Sequence, residues 1–114
     1  MRTVEQYLKM GMSLPYAEYY ASGTKKIISA NANDDFTITI LFDNGEKRVL
    51  NVKPVIDEGG VFRHLASPET FKRLYVDDSH TVCWDIDPGV DSNVVYENKI
   101  DLSPEFCYVE SIPC

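Results

Sequence analysis

At 114 residues the chain has material for one domain with one core and too little for two ordinary ones. Hydrophobic residues at 44% and charged residues at 25% are ordinary usage for a soluble globular domain, which excludes wholesale disorder. Eighteen acidic against eleven basic residues give a formal charge of -7, which opposes attraction to phosphate backbones and suits a basic partner better.

The segment Met1 to Met12 carries Glu5 and Gln6, and no run approaches the ~18 apolar residues of a membrane span, so neither export nor insertion is implied. Thr3-Val4-Glu5-Gln6 has the spacing of a capping box and predicts a short helix. That helix sets Val4, Tyr7, Leu8 and Met12 on a docking face and stops at Gly11. A second short helix is predicted within Leu14 to Ala21, closed by Ser22-Gly23. As a helix-turn-helix the pair fails, because Tyr16 to Ala21 offers aromatics, alanine and Glu18 where side chains that read bases and hold phosphates are needed. A helical flap over a sheet face or a partner fits better.

From Lys25 the hydrophobic period changes to two, first in Ile27-Ile28-Ser29-Ala30 and then in FTITILFDNGEKRVLNV, Phe36 to Val52, which predicts a β-hairpin. A two-residue Asn44-Gly45 turn would pair Ile38 with Asn51 and mix polar with apolar on one face. A three-residue loop Asp43-Asn44-Gly45, with Gly45 left-handed, pairs Ile38 with Leu50 and Phe36 with Val52 and leaves Thr37, Thr39 and Asn51 opposite. Pro54 is expected to end the second strand, Gly59-Gly60 to free the chain, and Val61, Phe62 and Leu65 to anchor in the core. Ser67-Pro68-Glu69 reads as N-cap, first helical position and first-turn acid of a short helix carrying Phe71. Leu74-Tyr75-Val76 then predicts a strand, Asp77 to His80 a turn, and Thr81 to Trp84 the next strand.

The stretch Cys83 to Asn93, CWDIDPGVDSN, puts three carboxylates and the only tryptophan into eleven residues. As a calcium loop it fails on spacing: Pro88-Gly89 interrupts the run, and the twelfth residue from Asp85 is Tyr96 rather than a glutamate. A fixed turn at Asp87-Pro88-Gly89 accounts for the same residues. A carboxylate pair acting as acid and base needs a concave, partly dry site, whereas Pro-Gly loops sit wet on the surface. Cys83, with His80 or His64 as base, lacks the small-residue elbow and oxyanion donors of a nucleophile and reads as a small buried hydrophobe, the two histidines as solvated side chains. Gly59-Gly60 lacks a phosphate-binding frame. Cys83, Cys107 and Cys114 are odd in number and without C-x-x-C spacing, which leads to reduced thiols in a cytoplasm rather than disulfides or zinc. No catalytic residue, metal or cofactor is expected. What remains is Trp84, Asp85, Asp87, Asp91, Tyr96 and Asp101, aromatics beside acids, a combination suited to gripping a basic partner. Trp84 serves equally well as core.

The succession FTITILFDNGEKRVLNVKPVI, GGVFRHLASPETFKRLYVDD and HTVCWDIDPGVDSNVVYENKIDLSPE resembles the bacterial domain-of-unknown-function family 2442. The marks are Phe42 and Gly45 at a strand end, Pro68 with Phe71, Trp84 closing a later strand, and Asp101-Leu102-Ser103-Pro104. The resemblance covers residues 25–110 and leaves residues 1–23 as a helical N-terminal extension of a single domain, 1–114. It implies a small α+β domain, a curled antiparallel sheet with a short inserted helix, and a suspected place as the antitoxin half of a toxin–antitoxin gene pair. The acidic loop Asp85 to Asn98 and the helical front end Thr3 to Ser22 are longer than in simpler members.

The expectation is therefore a non-catalytic, cytoplasmic interaction module that binds a small basic protein. The rival reading is a small-ligand or cation site in the Asp85–Asp91 loop with Trp84 as one wall. A homodimer that covers an exposed sheet edge competes with both.

Overall fold

The computed structural model describes residues 2–114 and has the α+β character read from the sequence. Two short helices open it: α1, Val4–Lys9, and α2, Leu14–Ala21. The capping box is formed, Gln6 N–H to Thr3 Oγ1 at 3.3 Å and Thr3 N–H to Gln6 Oε1 at 2.8 Å. Gly11 and Gly23 follow the helices with φ of +94° and +97°, the left-handed conformation in which glycine ends a helix without strain. α2 packs on its own domain. Ala17 and Tyr19 are buried, and the Tyr19 hydroxyl accepts from Lys25 N–H at 2.9 Å. The Lys25 ammonium lies 4.8 Å and 4.7 Å from the centroids of Tyr19 and Tyr108, and the Arg48 guanidinium 4.3 Å from that of Tyr108. Of the docking face expected on α1, Leu8 stays exposed and Val4, Tyr7 and Met12 are half-buried.

Strands β1, Ile27–Ala32, β2, Thr37–Phe42, and β3, Lys47–Asn51, form an antiparallel meander. The register is the one read from the turn: Ile38 pairs with Leu50, and Val52 N–H reaches the Phe36 carbonyl at 3.0 Å. Gly45 takes φ of +84° at the third loop position. The preceding hairpin uses the same three-residue device, with Asn33 N–H to the Thr37 carbonyl at 2.8 Å, but Phe36 occupies the left-handed position at φ of +61°. That conformation costs a non-glycine residue about 1–2 kcal/mol. The Phe36 ring, packed 5.2 Å from that of Phe71, supplies an offset.

Pro54 does not simply end the second strand. It lies in the first turn of a helix that sequence reading missed, α3, Lys53–Glu58, where a proline's missing N–H is no loss. A 3₁₀ segment, Gly60–Ala66, follows and buries Leu65, with Phe62 packed on the core, while Val61 points outward and is exposed, contrary to its expected role as an anchor. Helix α4, Pro68–Lys72, then buries Phe71.

The β part is divided rather than continuous. Strands β4, Tyr75–Val76, β5, Val82–Asp85, and β6, Lys99–Leu102, form a second antiparallel sheet of order β4-β5-β6. Helix α5, Pro104–Val109, returns the chain to β7, Ile112–Pro113, which completes the first sheet as β1-β2-β3-β7. The α3-to-α4 crossover brings β4 beside β1 without ladder pairing. His80 spans that seam: its Nδ1 lies 3.2 Å from the Ile27 carbonyl, where the β1 register slips between Ile27 and Ser29. His80 is thus half-buried and engaged, not the solvated side chain expected.

The core lies between the inner faces of the two sheets and the helices. Ile38, Ile40, Phe42 and Leu50 come from the first sheet, Val82, Trp84, Ile100 and Leu102 from the second. Trp84 is 0% exposed, stacks 5.9 Å from Phe71 and donates its indole N–H to the Phe71 carbonyl at 2.9 Å. Trp84→Phe should therefore leave a void and an unpaired buried carbonyl, and lower unfolding stability by about 2–4 kcal/mol in urea titration.

Candidate functional site

Alternation along the second sheet decides its two faces. Val76, Val82, Trp84, Ile100 and Leu102 turn inward. Tyr75, Cys83, Asp85, Lys99 and Asp101 stand on the other face, with Tyr75 opposite Cys83, Cys83 opposite Asp101, and Asp85 opposite Lys99. Asp77, two residues beyond Tyr75, joins them. This face is a polar network built on the two pairings of β5, with β4 and with β6.

Its first half is the triad of Asp77, Lys99 and Cys83. The Lys99 ammonium pairs with Asp77 Oδ2 at 2.8 Å, and the Cys83 thiol lies 3.5 Å from the same oxygen. Asp77 Oδ1 caps the turn below it, accepting Ser79 N–H at 2.9 Å and Thr81 N–H at 3.0 Å. Desolvation works against the Asp77 carboxylate, yet the Lys99 contact and these N–H groups together hold it below the usual carboxylate range. The same contact raises Lys99. Burial, reinforced by the charge of Asp77, pushes the Cys83 thiol up to about 12. That is the opposite of what an activated nucleophile needs.

The second half ties the loop to the sheet. Asp85 Oδ1 accepts from the Tyr75 hydroxyl at 2.9 Å and from the Ser92 hydroxyl at 2.5 Å. Burial and that bond push Tyr75 up to about 12. Asn98, 7% exposed, then closes the loop. Its Nδ2 donates to the carbonyls of Asp87 and Val90 and to Ser92 Oγ at 3.0–3.1 Å, and its Oδ1 accepts Asp87 N–H at 2.8 Å. Both hydrogens of that amide, shared among three acceptors, and its oxygen hold residues 87–92 in place. Asp87 and Asp91 each fold a local turn, accepting Gly89 N–H and Asn93 N–H at 2.9 Å. A single 3₁₀ turn, Tyr96–Asn98, leads back into β6.

Between the loop and the sheet lies a cleft of about 620 Å³. Its walls include Asp77, Asp78, Asp85 and Asp91 against Lys99 alone, so its field is negative.

The residues singled out from the sequence separate into three groups. Trp84 is core and forms no part of an exposed surface, because the strand's inward face and the Phe71 carbonyl claim it. Asp85 is half-buried and committed to Tyr75 and Ser92. Asp87, Asp91, Tyr96 and Asp101 are exposed, the first three on the loop and Asp101 on the sheet. Sequence reading missed Tyr75, Asp77, Ser92, Asn98 and Lys99. The signal was present in the alternation of Lys99-Ile100-Asp101-Leu102, which identifies a strand and would have set Lys99 across from Asp85. His64 is exposed in the 3₁₀ segment, away from Cys83's ladder partners.

Among the described residues, no group of three His, Cys, Asp or Glu side chains is placed to hold a metal ion, and no helix is long and apolar enough to cross a membrane. A family model described as "Protein of unknown function (DUF2442)" matches residues 27–111, well over half of the chain. No curated protein and no solved structure matches it.

Two outcomes follow from this geometry. Cys83 and Cys107 are buried and raised to about 12, so their thiols stabilise the fold below their ordinary value near 9, and that contribution is lost as pH rises from 9 towards 12. At pH 8 a disulfide reagent should therefore label one thiol, the exposed Cys114, and the other two only after unfolding; the urea midpoint should fall above pH 9. Asn98→Ala should cost about 1–3 kcal/mol and speed proteolytic cleavage between Pro88 and Tyr96, read by chemical unfolding and limited digestion.

Proposed function

The chain belongs to the DUF2442 family, and from that premise and the geometry of the loop we propose that it is a non-catalytic protein-interaction module that binds a small basic protein. The observation that carries the reading is the exposure of Asp87, Asp91 and Tyr96 on a loop fixed from below by Asn98, with Asp101 exposed on β6. Between Asp85 and Asn98 there is no lysine or arginine to neutralise it. An acidic surface held in one shape steers a basic partner and rejects acidic ones, which favours fast and selective association. The finer form of the proposal is an antitoxin, the acidic half of a bacterial toxin–antitoxin pair working in the cytoplasm. The thiol of Cys83, shielded and held protonated, supports a role without chemistry at that residue.

The acidic cleft favours a second reading, a small ligand or cation held at the Asp85–Asp91 loop. It stands second because Asp85, Asp87 and Asp91 each already give one carboxylate oxygen to an internal hydrogen bond. Calorimetric titration with calcium and magnesium decides it: heat and a thermal shift would promote it, and neither would dismiss it.

For the first reading, affinity capture of the tagged chain from its host should recover a stoichiometric small protein of high isoelectric point. Asp87→Asn/Asp91→Asn/Asp101→Asn should lose it, and raising the salt, which shortens the screening length below ~8 Å, should weaken the wild-type complex. Capture that is indifferent to both would contradict the proposal.

A further inference from the structure

The acidic loop carries something its charge does not explain. Val94, Val95 and Tyr96 are consecutive and 76%, 40% and 80% exposed, the longest run of exposed large apolar side chains among the described residues. Isolated apolar residues on a surface are ordinary, but three adjoining ones at a loop tip mark a contact. The remaining exposed apolar residues do not adjoin in sequence: Leu8 on α1, Met10 at its C-cap, Leu14 at the start of α2, Ile28 on β1, Val61 in the 3₁₀ segment and Ile112 on β7.

The tip is also held in shape. Val94 and Val95 N–H both reach the Asp91 carbonyl, at 3.0 and 2.9 Å, and Asn98 N–H reaches the Val95 carbonyl at 3.2 Å. With Asn98 anchoring the loop base, the side chains of residues 94–96 project from a backbone whose ordering cost was met in folding. Such preorganisation lowers the entropy lost on binding. An exposed tyrosine in this setting is the residue type that dominates interface energetics, and the neighbouring Asp91 and Glu97, both exposed, add negative charge beside it.

Resting on the interaction reading above, we propose that Val94, Val95 and Tyr96 form the apolar anchor of the interface and insert into a hydrophobic pocket rimmed by lysine and arginine on the basic partner. The charge pattern selects that occupant. A second copy would bring the same acids against themselves, and a nucleic acid would bring phosphates against them. The acids govern encounter, and the three apolar side chains govern how long the complex lasts.

The test uses the full chain and the basic protein captured with it, purified, with binding followed by surface kinetics at two salt concentrations. Tyr96→Ala should weaken binding about 30-fold or more, mainly through faster dissociation, and Val94→Ser/Val95→Ser should weaken it further in combination. The tip variants should keep the wild-type salt dependence, whereas Asp87→Asn/Asp91→Asn should slow association and flatten it. All three positions are exposed, so thermal unfolding should match wild type and exclude misfolding as the cause. Tip variants that bind within threefold of wild type would overturn the anchor while leaving the interaction module standing. Failure of the wild-type chain to capture any basic protein would remove both. A wild-type dimer in sedimentation that the tip variants dissolve would overturn the proposal in favour of self-association.

Discussion

The indole of Trp84 is the contact around which the rest of the molecule is arranged. Its N–H is bonded to the Phe71 carbonyl and its ring stacked on Phe71, so β5 is fixed to α4, and through the neighbouring Phe36 ring to the first hairpin. A buried indole without an acceptor would be costly, and the last turn of a short helix provides one. Burial of Trp84 has a consequence on the opposite face. Side chains alternate along a strand, so fixing Trp84 and Val82 inward sends Cys83 and Asp85 to the other side. The polar network of Tyr75, Asp77, Asp85 and Lys99 follows from the packing of the core.

The charges on that face are used internally before anything is left for a partner. Asp77 with Lys99 is a partly shielded pair, in which neighbouring N–H groups satisfy the remaining carboxylate oxygen. By contrast, Lys72 with Asp34 at 2.8 Å is an exposed pair of the kind that contributes little. Asp85 and Asn98 hold the loop in place, and the loop then presents Asp87, Asp91 and Tyr96 outward. The segment CWDIDPGVDSN therefore divides: Cys83 and Trp84 are interior, Asp85 is a fastener, Ile86 packs on the core, and residues 88–93 line a negative cleft.

Much of this was legible before the fold was known, and the exceptions have physical causes. The hairpin register could be derived because one face is buried, so a slip of one residue would expose Ile38 and Leu50. The capping box was visible because it is local. Helix α5 was not read, although Ser103-Pro104-Glu105 repeats the Ser67-Pro68-Glu69 signature that located α4, and Ser103 does accept Phe106 N–H at 3.3 Å. Helix α3 escapes sequence reading because Pro54 reads as a stop, although in the first helical turn a proline is also a start. The division into two sheets depends on where a crossover of helices returns the chain, and the seam is spanned by His80 meeting the carbonyl of Ile27, 53 residues earlier, beside a register slip. Periodicity carries no information about such long-range meetings. Trp84 illustrates the same limit: its residue type suits an interface and a core equally, and only the position of the Phe71 carbonyl decides.

The central claim is that a buried tryptophan strand holds out a rigid acidic loop with an apolar tip as the surface for a basic protein. Amide hydrogen exchange of the chain, alone and in complex with its captured partner, tests it most directly. The account predicts that residues 87–97 gain protection on binding while the helices of residues 4–21 and the outer face of β1 to β3 keep the exchange rates of the free chain. Protection centred on those helices or on the first sheet, with residues 87–97 unchanged, would contradict it.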